Sequence, residues 1–110
     1  MATPISRRES AIFKALGAPQ RLQVMQLLLA SDHELCSTEL AQRVGIPLYT
    51  MSRHLKIIRA AGLVEERREG RHVYYTPHRR DEIFLRAIHQ AVTALNSELI
   101  APRAEASRDR

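Results

Sequence analysis

"STELAQRVGIPLYTMSRHLKIIRAAGLVEERREGRHVYY", Ser37 to Tyr75, is the stretch on which the fold turns. It opens on a short helix from Ser37 to Val44, with Leu40, Ala41 and Val44 inward and Gly45 as its stop. Ile46-Pro47 turns the chain. A second helix is predicted from Leu48 to Ala61, because Met51, Leu55 and Ile58 recur on one face, and Gly62 closes it. The period then changes. "LVEERR" and "RHVYYT" are β-prone runs of similar length split by Glu69-Gly70, and a two-residue link containing Gly suits a tight hairpin. Pro77 ends the second strand.

Upstream, Ile5, Ile12, Phe13 and Leu16 read as the stripe of a first helix ending at Gly17. Pro19 suits the first turn of a second, in which Leu22, Met25, Leu28 and Leu29 recur at helical spacing. "SDHEL" is a polar connection. Downstream, a last helix from about Arg80 to Leu99 carries Phe84, Ala87, Ile88, Ala91, Val92, Leu95 and Leu99. The final ten residues, "APRAEASRDR" (101–110), are polar and expected to be disordered. The expected fold is mainly α with a small β-hairpin: a winged helix-turn-helix domain over residues 1–100.

In that arrangement the second helix of the unit enters the major groove of DNA, led by its N-terminal residues. Those are Leu48, Tyr49, Thr50, Ser52 and Arg53, with Lys56 one turn on, and Tyr49, Thr50, Arg53 and Lys56 fall away from the Met51–Leu55–Ile58 face. Their hydroxyl, guanidinium and ammonium groups suit base edges and phosphates. The hairpin tip "RREGR" would bring Arg68 and Arg71 to the flanking backbone or minor groove. Charge points the same way. The chain carries a net +5, and Arg53 to Arg80 holds eight basic and three acidic residues, so the whole excess lies there. A basic patch on a neutral body is the footprint of a polyanion's partner, although charge alone also fits a merely solvated face.

"FKALGAPQRLQVMQLLL", "ELCSTELAQRVGIP", "SRHLKIIRAAGLV" and "EGRHVYYTP" together resemble the ArsR/SmtB family of bacterial winged-helix repressors, from about Phe13 to Pro77. The resemblance implies a homodimer joined by its first and last helices that binds double-stranded operator DNA and releases it when an inducer binds. It implies that Tyr49, Thr50, Ser52, Arg53 and His54 lie on the DNA-reading helix, and Arg68 and Arg71 on the wing. The apolar stripe of the last helix fits that dimer, with Phe84, Ile88, Ala91, Val92 and Leu95 as candidate contacts. A two-fold dimer presents two reading helices one DNA turn apart, ~34 Å, and so expects an imperfect inverted repeat.

Sensing residues are harder to place. The family's "C-x-C" thiol pair in "ELCVCDL" becomes "ELCSTEL" here, with Cys36 matching the first thiol, Thr38 at the second and Ala41 at a third. Arsenite wants three thiolates, and this chain has one cysteine. Cys36 sits where it caps the short helix, a position that can heighten a thiol's reactivity or simply start the helix. His33 and the carboxylates of "DHELC" make a mixed metal site the alternative to a solvated loop. A second family pattern, "D-x-H-x10-H-x2-E/H", finds His78 and His89, but Thr76 and Val92 stand at its other ligand positions. On one helix those histidines are ~16 Å apart, so a shared ion needs two chains. Both ligand sets being incomplete, no cofactor is assigned. Against the family pattern, Ala18 and Pro47 each replace a helix-capping residue.

No membrane span or signal peptide is evident, and with a single cysteine the expected setting is the cytoplasm. No phosphate-cradling glycine loop, "H-E-x-x-H" or nucleophile elbow supports an enzyme. The rival readings are a winged helix that docks another protein, and a thiol- or redox-responsive repressor that binds no metal.

Overall fold

The computed structural model describes residues 4–80 and 82–99, and no side chain beyond Leu95. The expected tail at 101–110 and the side chain of Leu99 lie outside the described residues. The chain divides into two compact units, the first ending at His78 and the second beginning at Arg79.

In the first unit α1 (Arg7–Ala15) begins where Ser6 and Glu9 cap one another. The Glu9 amide donates to the Ser6 hydroxyl at 3.2 Å, and the Ser6 amide donates to the Glu9 carboxylate at 3.1 Å. Two amides that the helix cannot satisfy are thereby satisfied. Its buried face is Ile12 and Ala15. Ile5 precedes the helix and is exposed, as is Phe13, so the expected stripe is narrower than the sequence suggested. α2 (Pro19–Ala30) starts on its proline without a side-chain cap and buries Val24, Met25 and Leu28. Leu22 and Leu29 are only half-buried.

The polar connection ends in an element the sequence did not announce. Leu35–Cys36 forms β1, paired antiparallel with the hairpin through Leu35 opposite Tyr75 and Cys36 opposite Tyr74. α3 (Ser37–Val44) follows at once and ends in the left-handed residue Gly45, φ 81°, where a Cβ would be strained. α4 (Leu48–Ala60) buries Met51, Leu55 and Ile58, as expected, and packs against α1, α2, α3 and the first hairpin strand.

The hairpin strands are β2 (Val64–Glu69) and β3 (His72–Pro77), and the sheet order is β1-β3-β2. Pairing runs from Val64 opposite Pro77 to Glu69 opposite His72, so the turn is Gly70-Arg71, one residue later than Glu69-Gly70. The cause is backbone geometry. Of the two turn residues only Gly70 has positive φ, 62°, which places glycine first in the turn, and Arg71 needs no left-handed conformation. Among the described residues no polar or charged side chain is buried.

The second unit contains α5 (Ile83–Leu99), which starts later than Arg80. Leu85, Ile88 and Val92 are buried, whereas Ala87, Ala91 and Leu95 are exposed and Phe84 is half-buried. At 100° per residue the six expected apolar positions up to Leu95, with Leu85 added, form two adjacent rows. Leu85, Ile88 and Val92 make one row, and Phe84, Ala87, Ala91 and Leu95 the other. Ile88 and Val92, expected as dimer contacts, are buried in the single chain. Phe84, Ala91 and Leu95 keep accessible surface.

Candidate nucleic-acid interface

α4 has two sharply different sides. Met51, Leu55 and Ile58 are at most 1% exposed, while Tyr49 is 69% exposed and Ser52, Arg53 and Lys56 are also exposed. Thr50 is half-buried at the first turn. The period of 3.6 residues produces this division: burying i, i+4 and i+7 leaves the intervening polar positions on the outside.

Six cations lie on α4 and the hairpin, and two of them are neutralised within the chain. The Arg67 guanidinium forks onto the Glu34 carboxylate, with Nε–O distances of 3.0 and 3.1 Å, and also reaches Glu69 at 2.8 Å. It lies 4.7 Å over the Tyr74 ring. The hydrogen bond from Arg67 holds the Glu34 carboxyl below its usual range, and Glu34 and Glu69 in turn keep Arg67 charged. Arg59 pairs with Glu66 at 3.2 Å. The Glu66 carboxylate also accepts from the Tyr75 hydroxyl at 3.3 Å, and burial raises the pKa of that phenol. Arg53, Lys56, Arg68 and Arg71 form no ion pair or hydrogen bond with another described side chain.

Between the first turn of α3, the outer side of α4 and the hairpin runs a groove of about 460 Å³. Ser52 and Lys56 line it from α4, Arg68 and Tyr75 from the hairpin, and Ser37 from α3. The structure thus brings Ser52, Lys56 and Arg68 to one concave surface. Arg71 stands in the hairpin turn, and exposed His72 lies beside it with its ring 6.1 Å from that of Tyr74. Ser37 was not among the candidates, although a helix-opening serine next to a basic groove is a recognisable signal.

His54, expected on the DNA-reading helix, has both ring nitrogens engaged on α2. Nδ1 lies 3.1 Å from Arg21 Nη1, and Nε2 lies 2.8 Å from the Gln20 side-chain oxygen. Desolvation, then the charges of Arg21 and Arg53, hold its pKa below the ordinary histidine value of 6.5. Arg21 also donates from Nε to the Ala15 carbonyl at the end of α1. Nothing local in the sequence links positions 20, 21 and 54.

Cys36 is half-buried, and its sulfur accepts from the Glu39 amide at 3.4 Å as the cap of α3. His33 is exposed and lies 2.9 Å from Asp32, whose carboxyl is lowered chiefly by that hydrogen bond. His78 Nε2 lies 3.6 Å from Glu65, and its Nδ1 is buried without a hydrogen-bond partner. His89 is half-buried and belongs to the other unit. Among the described residues of one chain, no three His, Cys, Asp or Glu side chains are grouped to hold a metal ion. No helix among them is long and apolar enough to cross a membrane.

Known proteins have related sequences and a similar fold. Residues 12–67 match a helix-turn-helix domain family. The arsenic resistance transcriptional regulator ArsR1 of Pseudomonas putida is 36% identical over 93 residues, covering 84% of this chain and 72% of that protein. The structure of HlyU from Vibrio cholerae superposes with a TM-score of 0.69 at 30% identity, over 83% of this chain and 94% of that one. A homodimeric winged helix-turn-helix DNA-binding domain from Mycobacterium bovis gives 0.67 at 28% identity, over 91% and 94%. With its helix-turn-helix, its wing and these relatives, the chain belongs to the ArsR/SmtB family of DNA-binding transcriptional regulators.

Proposed function

We propose that the protein is a repressor that grips an inverted-repeat operator as a homodimer. In this reading α4 enters the major groove, with Tyr49, Thr50, Ser52, Arg53 and Lys56 facing bases and phosphates, while Arg68 and Arg71 follow the flanking backbone. The observation that carries it is the division of the six cations. Arg59, which lines the groove, and Arg67 are bound to carboxylates; of the four without such partners, Lys56 and Arg68 line the groove, Arg71 stands in the hairpin turn and Arg53 is exposed on α4. The accessible row of Phe84, Ala91 and Leu95, with the homodimeric relative, supports the dimer.

Arg53→Ala and Arg71→Ala should each weaken duplex binding about tenfold in a fluorescence titration, Arg71→Ala also flattening the salt dependence. Unchanged duplex affinity, with loss of a protein partner instead, would establish the docking module. An arsenic inducer does not carry over from the relative's name, because three thiolates cannot come from one cysteine per chain. A thiol-sensing role for Cys36 is tested with Cys36→Ser, whose hydroxyl can still cap α3. A variant that holds DNA under an oxidant that frees the parent supports sensing, and equal release removes it.

A further inference from the structure

We propose that Arg21 and His54 are a positioning pair for the reading helix: operator discrimination requires their hydrogen bond, and protonation of His54 removes it. The inference rests on the DNA-reading role of α4. Arg21 only donates, so the 3.1 Å contact makes His54 Nδ1 the acceptor and leaves the ring proton on Nε2. That N–H donates to Gln20 at 2.8 Å. Only one neutral tautomer meets both neighbours. Through Nε, Arg21 is also held by the Ala15 carbonyl. One guanidinium therefore ties the end of α1 and the first turn of α2 to the middle of α4. His54 adjoins Arg53 and lies one and a half turns from Tyr49, so a shift of its attachment moves the outer residues relative to the groove.

A second ring proton would place an N–H donor against the Arg21 guanidinium and a positive charge beside two others. The charged groups facing the ring are Arg21 from α2 and Arg53 from its own helix. Gln20 is neutral, and among the described residues no carboxylate pairs with the ring. The folded-state pKa is depressed, so stability from the pair is fully present above about 6.5 and falls as pH drops from there toward the folded value. DNA phosphates pull the other way by favouring every protonated group. The ratio of affinities for two duplexes cancels that shared attraction and isolates positioning.

The test uses the full chain with two probes: a duplex the wild type selects from a random pool, and a shuffled duplex of equal composition. If the wild type selects no duplex, the DNA-reading role fails before the pair is tested. Otherwise, His54→Leu should lower affinity for the selected duplex about tenfold, and that for the shuffled one less than about twofold. His54→Gln, which can still accept from Arg21 and donate to Gln20, should recover the selected duplex to within about threefold. As pH drops from 7.5 until the His54 ring protonates, followed by its NMR shift, the wild-type ratio should fall while that of His54→Gln stays level. A His54→Leu protein that discriminates like the wild type overturns the pairing, as does parallel loss of both duplexes in a protein that melts normally. Should His54→Leu not fold, the pH profile decides: equal slopes for wild type and His54→Gln reject the proposal.

Discussion

Leu55→Ala should lower stability by about 3 kcal/mol, the mid-range for removing a buried leucine whose cavity relaxes only in part. Leu55 is 1% exposed, on the inner face of a helix that packs against α1, α2, α3 and β2. Four elements pack against that helix, so it cannot shift to close the cavity without losing other contacts. The melting midpoint should fall roughly 12–20 °C, measured at fixed protein concentration because dimerisation adds to stability. Ile57→Ala, two residues on but 43% exposed, should cost less than about 1 kcal/mol. Equal losses at the two positions would mean that α4 is not seated as described. DNA binding should disappear with the fold in Leu55→Ala and survive in Ile57→Ala.

Replacing Arg53, Lys56, Arg68 and Arg71 together with alanine should have the largest effect on binding. Each phosphate contact contributes about 0.9 to the slope of log affinity against log salt, so four lost contacts flatten it by three to four per protomer. The roughly hundredfold weakening that four contacts produce per protomer between 50 and 200 mM salt should vanish, leaving weak binding that barely responds to salt. Arg59→Ala and Arg67→Ala, assayed singly, should each leave the slope nearly unchanged, well short of the roughly 0.9 of one lost contact, because Glu66, Glu34 and Glu69 already occupy those guanidinium groups. A slope that falls as much for Arg67→Ala as for Arg68→Ala would overturn the division of the patch.

Much of this interface could be read in advance because it obeys local rules. Gly45 and Gly62 bound α4, and the spacing of Met51, Leu55 and Ile58 determines which residues face outward. The hairpin was legible in kind but misplaced by one residue. Either Glu69-Gly70 or Gly70-Arg71 satisfies a rule asking only for glycine in a two-residue turn, and the pairing of Glu69 with His72 decides between them. β1 was not legible, since two residues carry no period and become a strand only because β3 lies alongside. The two apolar rows of α5 are adjacent on the helix, and no spacing rule tells which is covered.

The sequence by itself determined the order of helices, the wing, the basic character of one region and the family. Those properties depend on neighbours within a few turns of chain, where glycine, proline and apolar periodicity act directly. Tertiary structure alone decided which cations remain available and which histidine is bound inward. Arg67 meets Glu34 across 33 positions and His54 meets Gln20 across 34, and such pairs exist only once α2, α4 and the sheet have packed. A charge count treats every arginine alike, whereas folding brings some of them to carboxylates and leaves the rest facing solvent.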